Sequence, residues 1–106
     1  MFEAIKKMLG IGPKVNLAEL VEQGAIIVDV RTKGEYAGGH INGSVNIPLD
    51  KLVDNLNKLK SKNSPIITCC ASGVRSASAK GVLTSRGFTN VHNGGSWMSL
   101  SRKINK

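Results

Sequence analysis

The sequence predicts an α/β domain with a mainly parallel sheet and helices on both faces. Three observations carry that prediction. Short apolar runs alternate with stretches of helical spacing along the whole chain. Two of those runs, Ala25–Val30 and Pro65–Cys69, are continuously apolar or nearly so, as suits strands covered on both faces. Capping and glycine signals punctuate the helical stretches at the expected places.

Taken in order, Asn16 followed by Glu19 marks a helix start, Leu17, Leu20 and Val21 share a face, and Gly24 ends the element. The strand Ala25–Val30 follows. Thr32 and Glu35 form a second capping box, opening a short helix that stops at Gly38-Gly39. Ser44–Ile47 is a short strand, and Pro48 turns the chain into a helix over Leu49–Lys60, with Leu49, Leu52, Val53, Leu56 and Leu59 at helical spacing. After a polar turn at Ser61–Ser64 comes Pro65–Cys69, then a loop of small residues over Cys70–Arg75. A helix over Ser76–Ser85, a strand over Phe88–His92, a turn at Gly94-Gly95 and a terminal helix over Ser96–Ile104 complete the chain.

The chain has 106 residues, which suits one domain with one compact core: residues 15–104, preceded by a helical extension over residues 1–14. Phe2, Ile5, Met8 and Leu9 give that extension an apolar face, but Glu3, Lys6 and Lys7 make it too polar for a signal peptide. No apolar run is long enough to span a membrane, and a cytoplasmic, monomeric protein is expected. The net charge of +8 fits an anionic small molecule, while scattered basic residues and 4% aromatics argue against nucleic acid. No metal site is expected: the two cysteines, Cys69 and Cys70, are adjacent and have no His cluster near them. Adjacency also makes them a poor structural disulfide.

Chemistry concentrates in Cys70-Ala71-Ser72-Gly73-Val74-Arg75-Ser76, which follows a strand and opens a helix. Small residues let such a loop curl so that its N–H groups point inward as an anion nest, with Gly73 at positive φ. A helix start and Arg75 add positive charge, which lowers the pKa of a thiol held among them. Cys70 is therefore the candidate nucleophile. Cys69, last in its strand, is expected to face the sheet packing.

These residues, with Val28-Asp29-Val30-Arg31, Glu35-Tyr36, Gly39–Ser44, Asn46-Ile47-Pro48 and Gly94–Trp97, resemble the rhodanese homology domain, in the family's order from about Asn16 to Trp97. The resemblance implies a three-layer fold with a five-stranded sheet and a ping-pong sulfur transfer without metal or organic cofactor. Cys70 would carry sulfane sulfur as a persulfide from an anionic donor such as thiosulfate to cyanide or a thiol, a protein thiol included. Ala71, Ser72, Gly73, Val74, Arg75 and Ser76 would bind the substrate, with Arg75 on the donor anion. Asp29 and Arg31 are expected to form an ion pair or caps, His40 a hydrogen-bonded turn, and Trp97 a packing contact.

Two other readings use the same residues. Cysteine phosphatases space Cys and Arg as Cys69 and Arg75 are spaced, but their glycine phase fits Cys70, whose shorter loop resembles sulfurtransferases. Some domains of this fold only bind partners, usually having lost the cysteine that this chain keeps.

Overall fold

The computed structural model describes residues 15–105, so the expected extension over residues 1–14 lies outside the described residues. The elements are α1 (Leu17–Glu22), β1 (Ile26–Asp29), α2 (Lys33–Ala37), β2 (Val45–Asn46), two 3-10 segments (Leu49–Lys51 and Val53–Leu59), β3 (Ile66–Cys70), α3 (Val74–Ser85), β4 (Val91–Ser96) and α4 (Trp97–Ile104). The strands form one wholly parallel sheet in the order β2-β1-β3-β4. The four strands correspond to the four apolar runs of the sequence. The fifth, implied by the family resemblance, has no counterpart among the described residues.

The sheet separates two cores. On one face α3 and the 3-10 segments bring Leu52, Leu59, Ala79 and Leu83 onto Val28, Val30 and Ile66. On the other, α1 and α4 bring Leu17, Leu20, Val21 and Leu100 onto Ile27, Ile67 and Cys69. Strand residues alternate between these cores with a period of two, as pleating requires. The chain runs from β1 outward to β2, then returns past β1 to β3. The β1/β3 pair is thus the switch point of the sheet, where open α/β sheets hold ligands beyond the carboxyl ends of their strands. Cys70 ends β3 there.

Local signals placed most boundaries. Asn16 accepts the Glu19 N–H at 3.1 Å, and the Thr32–Glu35 box is complete, with Thr32 capping the Glu35 N–H and Glu35 accepting from the Thr32 N–H. Ser96 caps α4 through the Ser99 N–H.

Three expectations are corrected. Leu49–Lys60 is not one α-helix: Leu52 and Leu59 are buried and Leu49 and Leu56 partly so, but Val53 is exposed, and the backbone is 3-10 and breaks at Asn55 (φ −127°). Asn55 Nδ2 donates to the Lys51 carbonyl at 2.8 Å, the side-chain competition that makes Asn a poor helix former. Next, the last strand runs over Val91–Ser96 instead of Phe88–His92, so Gly94-Gly95 lies within it and is not a turn. Gly94 serves close packing: a Cβ there would lie 2.8 Å from both the Thr68 carbonyl oxygen and Ile67 Cγ2. Finally, α3 starts at Val74, so the loop between strand and helix shrinks to Ala71–Gly73 and Arg75 sits on the helix's first turn.

Candidate active site

The parity of β3 decides which cysteine meets the loop. Ile66, Thr68 and Cys70 face α3, while Ile67 and Cys69 face α1 and α4. Both thiols are free and buried. Cys69 lies among apolar side chains and near the Asp29 carboxylate; burial foremost, then that charge, pushes its pKa up to about 12. It is an inert thiol at neutral pH.

Cys70 sits in the opposite situation. Gly73, at φ +103°, bends the chain back so that its N–H points at the sulfur from 2.9 Å. The Ser76 N–H follows at 3.3 Å, and the Ser76 hydroxyl lies 3.6 Å away. Burial pushes the thiol up, but the contacts from Ser76, Gly73 and Ser72 outweigh it, and its pKa falls below the ordinary cysteine value. Of the inward amides expected of the loop, that of Gly73 meets the sulfur, and that of Ser76 joins it from the first turn of α3, where the helix dipole adds to them. Ala71 and Ser72 are exposed at the loop's crest, Ser76 is buried beside the sulfur, and Val74 points outward, 72% exposed.

Arg75 does not stand free. Its guanidinium forms a two-pronged pair with Glu35 of α2, Nη1 to Oε1 at 2.7 Å and Nη2 to Oε2 at 2.9 Å. Glu35, the capping residue of α2, therefore ties the first turn of α3 to the β1–α2 connection. The sequence showed the cap but not this second use of the carboxylate, because the partners are forty residues apart. Beside Arg75 lies a cavity of about 370 Å³ lined by Val30, Thr32, Pro48, Leu49, Asp50 and Arg75.

The Arg75 guanidinium and the Thr32 N–H hold the Glu35 carboxyl at about 2, well below its ordinary 4.5. A depressed folded-state pKa means the tether stabilises the fold above about 4.5 and loses that contribution as pH falls from there towards 2. Thermal melts across this window should therefore fall less steeply in Arg75→Ala than in the parent chain. Equal slopes would show that the pair carries no stability. The pair is about one-third exposed, so the difference should be small and shrink with salt.

Asp29 and Arg31, at the end of β1, form the expected ion pair. Arg31 also donates to the Gly39 and Glu35 carbonyls, and its guanidinium lies 4.7 Å over the Trp97 ring. His40 is the turn residue expected: exposed, stacked on Tyr36 at 3.8 Å and hydrogen-bonded to the Tyr36 carbonyl. His92 is held by Asn90, its Nε2 2.7 Å from the Asn90 Oδ1. Sequence reasoning missed Asn93, whose Oδ1 lies 2.6 Å from the Ser76 hydroxyl. Only the pairing of β4 with β3 brings it there.

Known proteins resemble this chain in sequence and in fold. A rhodanese-like domain model matches residues 14–100. The thiosulfate sulfurtransferase GlpE of Pseudomonas fluorescens is 35% identical over 80 residues, 76% of this chain and 72% of that protein. The thiosulfate sulfurtransferase PspE of Escherichia coli is 33% identical over 69 residues, 64% of this chain and 66% of its own. Among solved structures, a rhodanese with anions from E. coli superposes with a TM-score of 0.69 at 30% identity, covering 72% of this chain and 91% of that one. The human single-domain sulfurtransferase TSTD1 gives 0.68 at 25% identity, covering 82% and 90%. With the parallel sheet, the Cys70 loop and a family match over residues 14–100, this chain belongs to the rhodanese-like domain family and is a rhodanese enzyme of the sulfurtransferase class.

Proposed function

We propose that this enzyme moves sulfane sulfur from an anionic donor such as thiosulfate to cyanide or a thiol, holding it in between as a persulfide on Cys70. The observation that supports this reading best is the convergence of the Gly73 and Ser76 N–H groups on one buried sulfur. Fixed amide donors stabilise a thiolate without a general base, so more of the thiol is in the nucleophilic form at a given pH. In the first half-reaction the thiolate attacks the outer sulfur of thiosulfate. A Cys70 S–S bond forms, the donor's S–S bond breaks, and sulfite leaves with the electron pair. In the second, the acceptor attacks the outer sulfur of the persulfide and the Cys70 thiolate departs with its electrons. The amides that held the first anion receive the second.

The net charge of +8 favours approach of an anionic donor. Arg75 is the local cation for it. Glu35 already takes two of its N–H groups, so Arg75 offers a donor its remaining ones and a largely neutralised charge.

The test is to treat the protein with thiosulfate and weigh it by mass spectrometry. One added sulfur atom should map to the Cys70 peptide, persist in Cys69→Ser and vanish in Cys70→Ser. Unmodified thiol in a folded parent chain would overturn the reading in favour of a binding module. Phosphate-ester hydrolysis dependent on Cys69 would overturn it in favour of a phosphatase.

A further inference from the structure

The Ser76 hydroxyl has one proton and three neighbours that would accept it. Its Oγ lies 2.6 Å from Asn93 Oδ1, 3.0 Å from the Gly73 carbonyl oxygen and 3.6 Å from Cys70 Sγ. The Gly95 N–H identifies the Asn93 atom. It reaches the same Oδ1 at 2.9 Å, and an N–H can meet only an acceptor, so this side of the amide is the carbonyl and not the NH₂. A carbonyl oxygen has no proton to return to Ser76. The short contact is therefore a hydrogen bond donated by Ser76, and the hydroxyl proton is committed to it.

We propose that Asn93 is a positioning residue for Cys70: by holding the Ser76 proton it turns only an oxygen lone pair towards the sulfur, so backbone amides alone carry the thiolate. The inference rests on Cys70 being the reacting sulfur and names what tunes it. Towards the neutral thiol, Ser76 acts as acceptor of the S–H. Towards the anion, the same lone pair opposes charge, so with its proton on Asn93 the Ser76 contact that favours the thiolate is its N–H at 3.3 Å and not its hydroxyl. Asn93 thus keeps the thiol's pKa from falling as far as it would with a donated O–H. This matters for rate, because a thiolate's nucleophilicity declines as its pKa declines. A sulfur gripped by amides and a hydroxyl together would be more readily ionised but a weaker nucleophile.

Other groups around the sulfur are fixed independently of Asn93. Arg75 with Glu35 lies on the α3 and α2 side, Cys69 and the Asp29–Arg31 pair lie towards the opposite face of β3 and β1, and His92, next to Asn93, is engaged with Asn90 and faces the charge of Lys80. Removing the Asn93 amide changes none of these charges.

The test is the pH profile of Cys70 alkylation by iodoacetamide on the full chain, followed on the Cys70 peptide, with circular dichroism confirming the fold. Asn93→Ala should lower the profile's midpoint by roughly half a unit to one unit, the worth of one freed hydrogen bond. Its plateau rate should fall about twofold to threefold. Asn93→Asp keeps the acceptor, adds a negative charge and should move the midpoint up, which rules out mere loosening as the cause. Adding Asn93→Ala to Ser76→Ala should shift nothing further. An unmoved or raised midpoint in Asn93→Ala, a lowered one in Asn93→Asp, or a full downward shift in the Ser76→Ala background would each overturn the proposal. Alkylation needs no sulfur donor. A chain that alkylates as expected yet takes no sulfur from thiosulfate therefore loses the sulfur-carrier reading while the proton arrangement stands.

Discussion

Asp29→Ala should cost about 3–5 kcal/mol of stability, the usual result of leaving a buried charge without its partner. Against a typical total of roughly 5–15 kcal/mol, that is enough to unfold a large share of the protein at elevated temperature. The carboxylate is 1% exposed and Arg31 is 4% exposed. Arg31 Nε lies 3.0 Å from Oδ1 and Nη2 lies 2.7 Å from Oδ2, so both oxygens are used, and the Arg31 N–H donates to Oδ1 as well. The damage would travel further. Arg31 fastens the Glu35 and Gly39 carbonyls, and Glu35 in turn fastens Arg75. Sulfur transfer should therefore decline even in the fraction that remains folded. Urea unfolding is the measurement. A loss below about 1 kcal/mol, the level of an exposed pair, would mean that the guanidinium finds water once its partner is gone. Replacing both partners by apolar residues of similar volume should recover part of the loss, because the pair's worth lies mainly in each member cancelling the other's burial cost.

What the sequence could reveal follows from what is local. The cap at Thr32, the buried leucines of the 3-10 region and the positive φ at Gly73 are each decided within a few residues, and each was legible. The same holds for the opposite faces that Cys69 and Cys70 meet, which need only strand parity. The backbone of Leu49–Lys60 was misread because apolar spacing reports which face is buried, and α and 3-10 backbones can bury the same leucines; the Asn55 side chain decided between them. The position of β4 was misread because Gly94-Gly95 looks like a turn. Gly94 is there because β3 runs so close, and Gly95 because its φ is +80°, neither of which a neighbouring residue announces. The Glu35–Arg75 tether and the Ser76–Asn93 contact stayed hidden for a like reason. Each joins residues that only the parallel crossovers bring together.

Gly73→Ala should reduce sulfur transfer by about 10²–10³-fold, the usual effect of removing one preorganised N–H from an anion site. Space is not the obstacle: a Cβ at Gly73 would meet Gly95 Cα at 3.4 Å, an ordinary contact. The obstacle is φ +103°, a conformation an L-residue leaves at a gain of roughly 1–2 kcal/mol. As the backbone relaxes, the Gly73 N–H turns away from the sulfur it now meets at 2.9 Å, and the Ser76 N–H at 3.3 Å loses its alignment with it. Each lost donor favours the neutral thiol. The pH at which half the thiol is ionised should rise, and activity should shift to more alkaline solution along with it. Gly24→Ala supplies the control. That glycine has φ +97° with nothing within 4 Å of its Cβ position, and it lies between α1 and β1, away from the loop. It should lose a comparable amount of stability and leave the pH profile unmoved. Should Gly73→Ala behave the same way, the amide ring would be a device for turning the chain and not for holding an anion.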